Sequence, residues 1–494
     1  MKLLKIFSVL VIGLLLLLSL LLSLVPLDSY LAQTEQTLSA QLGAPMHIRK
    51  MRFGALPLPH LILQHARLGT EDEHIAAASV EIRPDWGALM QGDFVIKRIH
   101  LQEGSAHATQ ISKLISHLSA AHSGGGNFEL RALEFSDMQL LLPDHTLDAV
   151  EGNLKFSADG KLEHAWFGLD GRKLTAVLLA KKSAGFNLKL QAVEWTPVFA
   201  PQLVLKNLKV DGDLSISDSQ PEFSGNITLG QLATKLSFSE RETLLILDQI
   251  ETVMVLSPQE IALQTLTANF SGGTLSGNIK FNRGSGRLSG NLHSENVALE
   301  PLMQSLFNQS RFSGNLESTI DFSMSTQTDQ PLREQLKFSA NYTIRNGVLK
   351  DIDLVEAAKN PSESKNVTGS TAFDTLSGLV KADASGYHFE PVQIASGLLD
   401  AQGGVSVSHE LALAGWLDVD VKNTVGLVSM PMNISGTLSE PAIRPSKSAI
   451  AGAAVGTAVL GPLGTALGVK IGGFINRHMN NTPKQKPVRP GVAP

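Results

Sequence analysis

Phe186-Asn187-Leu188-Lys189-Leu190 places an apolar side chain at every second position and a polar one between each pair. Successive side chains of an extended chain point to opposite faces, so this pattern reads as a strand with one face to withdraw from water. The same alternation surrounds it. Met46, Ile48, Met51 and Phe53 open the series, followed by Leu61 with Leu63, Val80 with Ile82, and Phe94, Ile96, Ile99 and Leu101. It continues through Phe128, Leu130, Leu133 and Phe135, through Leu154 and Phe156, and later through Phe223, Ile227 and Leu229 and through Leu275, Ile279 and Phe281. Asp159-Gly160-Lys161, Asp211-Gly212-Asp213 and Ser271-Gly272-Gly273 fall between runs and suit tight hairpin turns. A loose repeat, apolar-x-apolar-x-x-Gly or Met, recurs from Ile99 to Gly104 and from Leu133 to Met138, and with one residue fewer from Leu208 to Gly212. These features predict a mostly β chain whose antiparallel sheet is extended serially rather than divided among unrelated globules.

Composition narrows the function. Hydrophobic residues at 43% against 18% charged describe a folded chain, and a net charge of -5 with no clustered basic face gives no reason to expect nucleic acid as a partner. The absence of cysteine removes disulfides, thiolate metal sites and cysteine nucleophiles. Fourteen histidines are scattered; His60 with His65 and His117 with His122 are five apart, which misaligns two ligands on a helix. Glu71-Asp72-Glu73 beside His74 reads as a solvated loop, and there is neither a Gly-x-Ser-x-Gly elbow nor a phosphate-binding Gly-x-x-x-x-Gly-Lys loop. No catalytic residue, metal site or cofactor is predicted, and the chain is expected not to be an enzyme.

Between Lys5 and Asp28 no side chain is charged, and Phe7 to Val25 is almost wholly Leu, Val, Ile and Phe. That length crosses a hydrocarbon core as a helix. A cleaved signal peptide competes, but its apolar core would be too long and Tyr30 would occupy the minus-three position. As an anchor, with Lys2 and Lys5 before it and Asp28 and Glu35 after it, the segment leaves the N-terminus cytoplasmic and the body outside. Two helices interrupt the strands: Ile111, Leu114, Ile115 and Leu118, ended by Ser123-Gly124-Gly125-Gly126, and Leu299, Leu302, Met303, Leu306 and Phe307. They cap a sheet edge, or the first acts as a lid over one end of a groove. Residues 449–469 are uncharged and Gly/Ala-rich, with Gly452 and Gly456, then Gly464, Gly468 and Gly472, spaced by four. They read either as a helical hairpin in or on a membrane or as a soluble helix pair packed on the sheet. A basic, Pro-rich tail with Arg477, Lys484, Lys486 and Arg489 follows. The expected regions are an anchor (1–27), an N-terminal β region with a short helix (28–122), a repetitive middle (123–330), a C-terminal β region (331–447) and the Gly/Ala-rich end with its tail (448–494).

A many-stranded sheet must cover its apolar side, and the predicted helices are too few to do so. Two architectures satisfy this constraint: a sheet curled lengthwise into a trough suited to acyl chains, or a closed β-sandwich or β-helix filled by its own side chains. In the trough, Ile96, Phe128, Leu130, Ile227, Leu229, Ile279 and Phe338 are the predicted lining residues, chosen by strand periodicity.

Leu42-Gly43-Ala44-Pro45-Met46-His47-Ile48, then Phe53-Gly54-Ala55-Leu56-Pro57 and Leu61-Ile62-Leu63, resemble the opening of AsmA-family proteins, where a transmembrane helix leads into a glycine-proline turn and a first hairpin. The run from Val95 to Gly104 resembles that family's next element. Residues Gly347 to Leu354, Thr371 to Gly378 and Pro431 to Pro441 are similar to its C-terminal signature. These segments bracket Met1 to about Pro445, while the middle matches in texture. The resemblance implies an inner-membrane-anchored periplasmic protein with an elongated β-taco-like groove that handles phospholipid between the inner and outer membranes. Outer-membrane or envelope proteins are expected partners at the C-terminal end, and the alternative is a periplasmic scaffold assisting outer-membrane protein assembly.

Overall fold

The computed structural model describes residues 27–54, 58–111, 113–114, 129–182, 184–217, 220–238, 241–307, 310–326, 335–359, 369–422, 428–451 and 469. The expected anchor, including Phe7 and Val25, lies outside them. No helix among the described residues is long and apolar enough to cross a membrane. The architecture is mostly β, with 24 strands in one open sheet and a few short helices. The chain divides into two compact units, Met1–Leu232 and Ala233–Pro494.

The first unit holds α1 (Leu31–Leu42), β1 (Met46–Gly54), β2 (His60–Gly69), β3 (His74–Pro84), α2 (Trp86–Met90), β4 (Val95–His107) and the two-residue β5 (Glu129–Leu130). It continues with β6 (Ala132–Leu141), β7 (Thr146–Phe156), β8 (Leu162–Leu169), β9 (Leu174–Ala180), β10 (Phe186–Trp195) and β11 (Leu203–Ser217); β12 (Gln220–Phe238) contains the division. Consecutive strands pair as antiparallel hairpins with one exception. β4 pairs in parallel with β5 and β6, placing Ile99 opposite Leu133 and Gly104 opposite Met138. The antiparallel sheet expected from sequence thus holds apart from this one parallel step. Parallel neighbours require the chain to cross back before the next strand starts, which a tight turn cannot do, and residues 108–128 supply that connection.

α1 covers the edge strand. The Ile48 amide donates to Glu35 Oε1 at 2.6 Å and the Met46 amide to Ser39 Oγ at 2.8 Å, so helix side chains take up two β1 donors that have no strand partner on that side. The pairing of residue 39 with 46 and 35 with 48 sets α1 antiparallel to β1. Its Leu31 and Leu38 pack on a cluster built from Ile48, Met51, Leu63 and Ala66. A second cluster, Ala106, Met138 and Val150, packs with Ile111, Phe135 and Leu140. Ile111 and Leu114 of the first predicted helix are helical; Ile115 and Leu118 lie outside the described residues.

The second unit holds β13 (Arg241–Leu256), β14 (Glu260–Phe270), β15 (Gly273–Asn282), β16 (Arg287–Ala298), α3 (Leu299–Phe307), β17 (Phe312–Ser325), β18 (Lys337–Lys350) and α4 (Leu354–Lys359). β19 (Ser370–Asp383), β20 (Gly386–Ala395), β21 (Leu399–Val407), β22 (Leu413–Val421), β23 (Val428–Gly436) and β24 (Pro441–Pro445) complete it. α3 is the second helix expected from sequence. From β13 to β24 each strand pairs antiparallel with the next. At about 4.8 Å per strand, a flat sheet would hold β17 and β24 roughly 34 Å apart. Instead Arg311, just before β17, donates from Nη2 to the carbonyl of Ser439, just before β24, at 2.6 Å. The sheet therefore coils round on itself, and α4 sits inside the coil against β19, β22, β23 and β24. Leu354, Leu399 and Val419 at its centre are wholly inaccessible to solvent. Ala449 and Val469 from the Gly/Ala-rich segment join this core; the residues between 452 and 468 lie outside those described.

Candidate functional site

Strand register carries the sequence alternation across each sheet. In the first unit, Phe53, Leu61, Ile82, Ile99 and Leu133 face one another in successive strands, and the row continues through Leu154, Ala165, Leu178 and Leu188. In the second, Leu263, Ile279, Gly290, Phe322, Phe338, Ala382 and Tyr387 form one row, and Leu266, Gly277, Leu292, Ile320, Ala340, Val380 and Phe389 the next. Ile261, Phe281, Leu288 and Met324 form a third. Side chains opposite each other in a ladder share a face, so these rows make an unbroken apolar surface over β14 to β18. The other face is polar: Asn291 donates to Asp321 at 2.8 Å, His293 meets Thr319 at 3.1 Å and Arg345 pairs with Glu317 at 3.2 Å.

Coverage of the apolar face differs along the second unit. Leu266, Ala268, Val297 and Leu299 are buried where α3 packs on β13 and β17, with Thr243 Oγ1 donating to the Ser305 carbonyl at 3.1 Å. From β19 onward the α4 core fills one end of the face, where Leu376, Ile394, Ala401 and Val419 are buried, while Tyr387, Phe389, Val405, Val407 and Leu413 toward the other end stay half-buried. Between these, Ile261, Leu263, Ile279, Phe281, Leu288, Leu292, Ile320, Phe322, Met324 and Phe338 are all half-buried, with no helix against them among the described residues. Aromatic rings line the approach to the packed end, Phe338 to Tyr387 at 6.1 Å and Tyr342 to Phe389 at 6.0 Å. Burial pushes the Tyr342 hydroxyl up to about 12.

Of the residues predicted to line a groove, Ile279 and Phe338 lie in this half-buried surface, in the same row. Leu130, Ile227 and Leu229 are half-buried in the first unit, Ile96 opposite Leu130 is buried, and Phe128 lies outside the described residues. Sequence reasoning passed over Ile320-Asp321-Phe322-Ser323-Met324, although its alternation is as regular as any chosen. What no single strand reveals is which runs stand opposite one another and which are left without cover.

Other chemistry is local. No group of three or more His, Asp or Glu side chains among the described residues could hold a metal. The shifted carboxylates answer to neighbours at the surface: Arg172, bonded from Nη2 to Glu151 at 2.8 Å, holds that carboxyl below its usual range, and Lys161 with Ser157 holds Asp159 down to about 2.

A sequence model of the AsmA family matches residues 206–385. The match supports assignment to the AsmA family. This AsmA stretch runs from within β11 through β19 and contains the whole half-buried apolar surface. It includes the segments beginning at Gly347 and Thr371, whereas the resembling segments at Leu42, Phe53 and Val95 and at Pro431 fall outside it. The middle, expected to agree in texture alone, thus carries much of the AsmA match. No curated protein and no solved structure matches the chain.

Proposed function

We propose that this AsmA-family chain is a non-enzymatic carrier that holds phospholipid acyl chains on the apolar face of β14 to β18 and leaves headgroups in water. The observation behind this reading is the set of ten large apolar side chains, from Ile261 to Phe338, that share one face and are only half-buried. Apolar surface left partly wet has a standing drive for cover, about 25 cal/mol per Å², and acyl chains supply cover without needing hydrogen-bond partners. Membership of the AsmA family and the uncharged Phe7 to Val25 segment support placement in the envelope, anchored in the inner membrane with the body periplasmic and lipid moving between the two membranes. The α4 core covers one end of this face from β19 onward, so the contact is centred on the strands before it.

Photo-crosslinking residues placed at Ile279, Phe322 and Phe338, with the outward-facing Asn291 and Thr319 as controls, test the reading in cells. Phospholipid adducts are expected at the first three positions and not at the controls. Equal yields on both faces, or none on the apolar face, would overturn it.

A further inference from the structure

The first unit carries a second apolar feature, at the edge where β1 turns into β2 and β3 into β4. Met90 is 87% exposed, Phe94 58% and Leu58 54%, with Leu89 exposed beside them. They are held, not loose. Asp85 accepts from the amides of Gly87 and Ala88 to start α2, the Asp85 amide donates to the Val95 carbonyl at 2.8 Å, and Trp86 Nε1 donates to the Pro59 carbonyl at 3.2 Å. The last bond ties the α2 turn to the β1–β2 turn that carries Leu58. An edge that fixes its turns by hydrogen bonds while presenting four large apolar side chains outward is built for a non-aqueous neighbour.

The chain itself indicates that neighbour. Because Ser39 stands by Met46 and Glu35 by Ile48, following α1 backward leads toward Phe53 and the β1–β2 turn. Leu27 and Leu31 accordingly pack in the cluster that includes Leu61, two residues beyond Pro59. The chain leaves the described residues at this edge, and the sequence next to it is the uncharged apolar run ending at Val25. Tyr30, at the junction, is 58% exposed, and Arg52 and Lys97 are exposed on the strands that end here. An apolar tip with an aromatic at its rim and cations behind it has the layering of a bilayer interface.

We propose that Leu58, Leu89, Met90 and Phe94 form a foot that dips into the same bilayer leaflet from which the N-terminal segment emerges, fixing the orientation of the first unit on the membrane. This rests on the anchoring part of the function proposed above and is independent of lipid carriage.

The absence of native cysteine makes the test direct. The full chain carrying Met90→Cys or Phe94→Cys is labelled with an environment-sensitive fluorophore and placed in nanodiscs of phosphatidylethanolamine and phosphatidylglycerol. Leu16→Cys reports on the N-terminal segment, and Glu71→Cys, in the turn at the opposite edge, serves as the water-exposed reference. Blue-shifted emission at Met90 and Phe94, quenched by lipids bearing a nitroxide near the headgroup, is expected, with Leu16 quenched by lipids bearing the nitroxide deep in the acyl chains and no response at Glu71. Adding Phe94→Asp should abolish quenching at the Met90 label while leaving that at Leu16 intact. Quenching at Leu16 without quenching at Met90 and Phe94 would overturn the foot and leave the anchor standing. Loss of quenching at Leu16 as well would overturn both, without bearing on whether β14 to β18 hold lipid.

Discussion

Tyr342 stands on the apolar face between Ser318 and Gly378, with the ring of Phe389 edge-on to it at 6.0 Å. Burial penalises the phenolate, which pushes its pKa up to about 12 from an ordinary 10.0. A raised value means that the folded chain keeps its proton where the unfolded chain has lost it. The stabilisation is complete below pH 10 and drains away as pH climbs toward 12. Tyr342→Phe should flatten that alkaline limb in denaturation midpoints measured across the interval; an unchanged slope would place the titration elsewhere. Glycine has a matching role at this scale. A Cβ on Gly290 would lie 2.7 Å from Cε1 of Phe322, so the bare backbone is the floor on which the ring lies. The abundance of glycine was plain in the sequence, but its partnership with particular rings depends on cross-strand register, which no run of residues states by itself.

At the scale of elements, the loose repeat noted in the sequence acquires a cause. Glu103 in the Ile99 to Gly104 repeat and Asp137 in the Leu133 to Met138 repeat have φ of 50° and 51°, and Asn207, just before Leu208, has 53°. The same left-handed conformation recurs at Gln249, Thr265, Asn296 and Asn346. Register shifts accompany it in β6, β13, β14, β16 and β18. Such irregularities sharpen strand twist, which helps a many-stranded sheet to coil. The extra residue was legible as a break in alternation; its conformation was not, because Glu, Gln and Thr carry little of the left-handed preference of Asn and Gly. Edge protection was also hidden, since nothing in the α1 sequence announces that Glu35 and Ser39 turn toward β1. Replacing both by Ala should lower stability by about 2 kcal/mol, read from denaturant midpoints, because a net hydrogen bond stabilises by roughly 1 kcal/mol and one to a charged group by more. The same variant should form concentration-dependent oligomers in size-exclusion chromatography, as the uncapped β1 edge becomes available to another chain. At the other edge β24 is short and has Pro441 and Pro445 at its two ends, residues that cannot donate to a further strand.

Among the described residues, alternation identified the β class, the few short helices and the polar and apolar faces correctly. It left open whether the sheet closes on its own side chains or exposes them, and within the second unit both occur. The coil around α4 is filled by Leu354, Leu399 and Val419, while the face at Ile279 and Phe322 stays partly wet. Local pattern cannot separate these outcomes, because the difference lies in whether a helix such as α4 is delivered to that face by the fold. The distinction sets the expected response to charge. Phe322→Asp falls where water already reaches, so the fold should survive. Phospholipid crosslinked through Phe338, its neighbour in register, should drop by about tenfold or more, since burying one such side chain stabilises by roughly 1.5–3 kcal/mol. A fully retained yield at Phe338 would detach lipid from this row.

The parallel step between β4 and β6 bears on how such a molecule can change in length. In the other strand pairs described above, a strand's neighbours are its predecessor and successor in the chain, so whole hairpins can be inserted or removed and distant pairings remain as they were. Loss of one strand would reverse the heading of every strand after it and carry each turn to the opposite rim. The crossover is the place where heading is reset, which makes the four strands before it a module whose orientation is indifferent to how many hairpins later descent adds beyond.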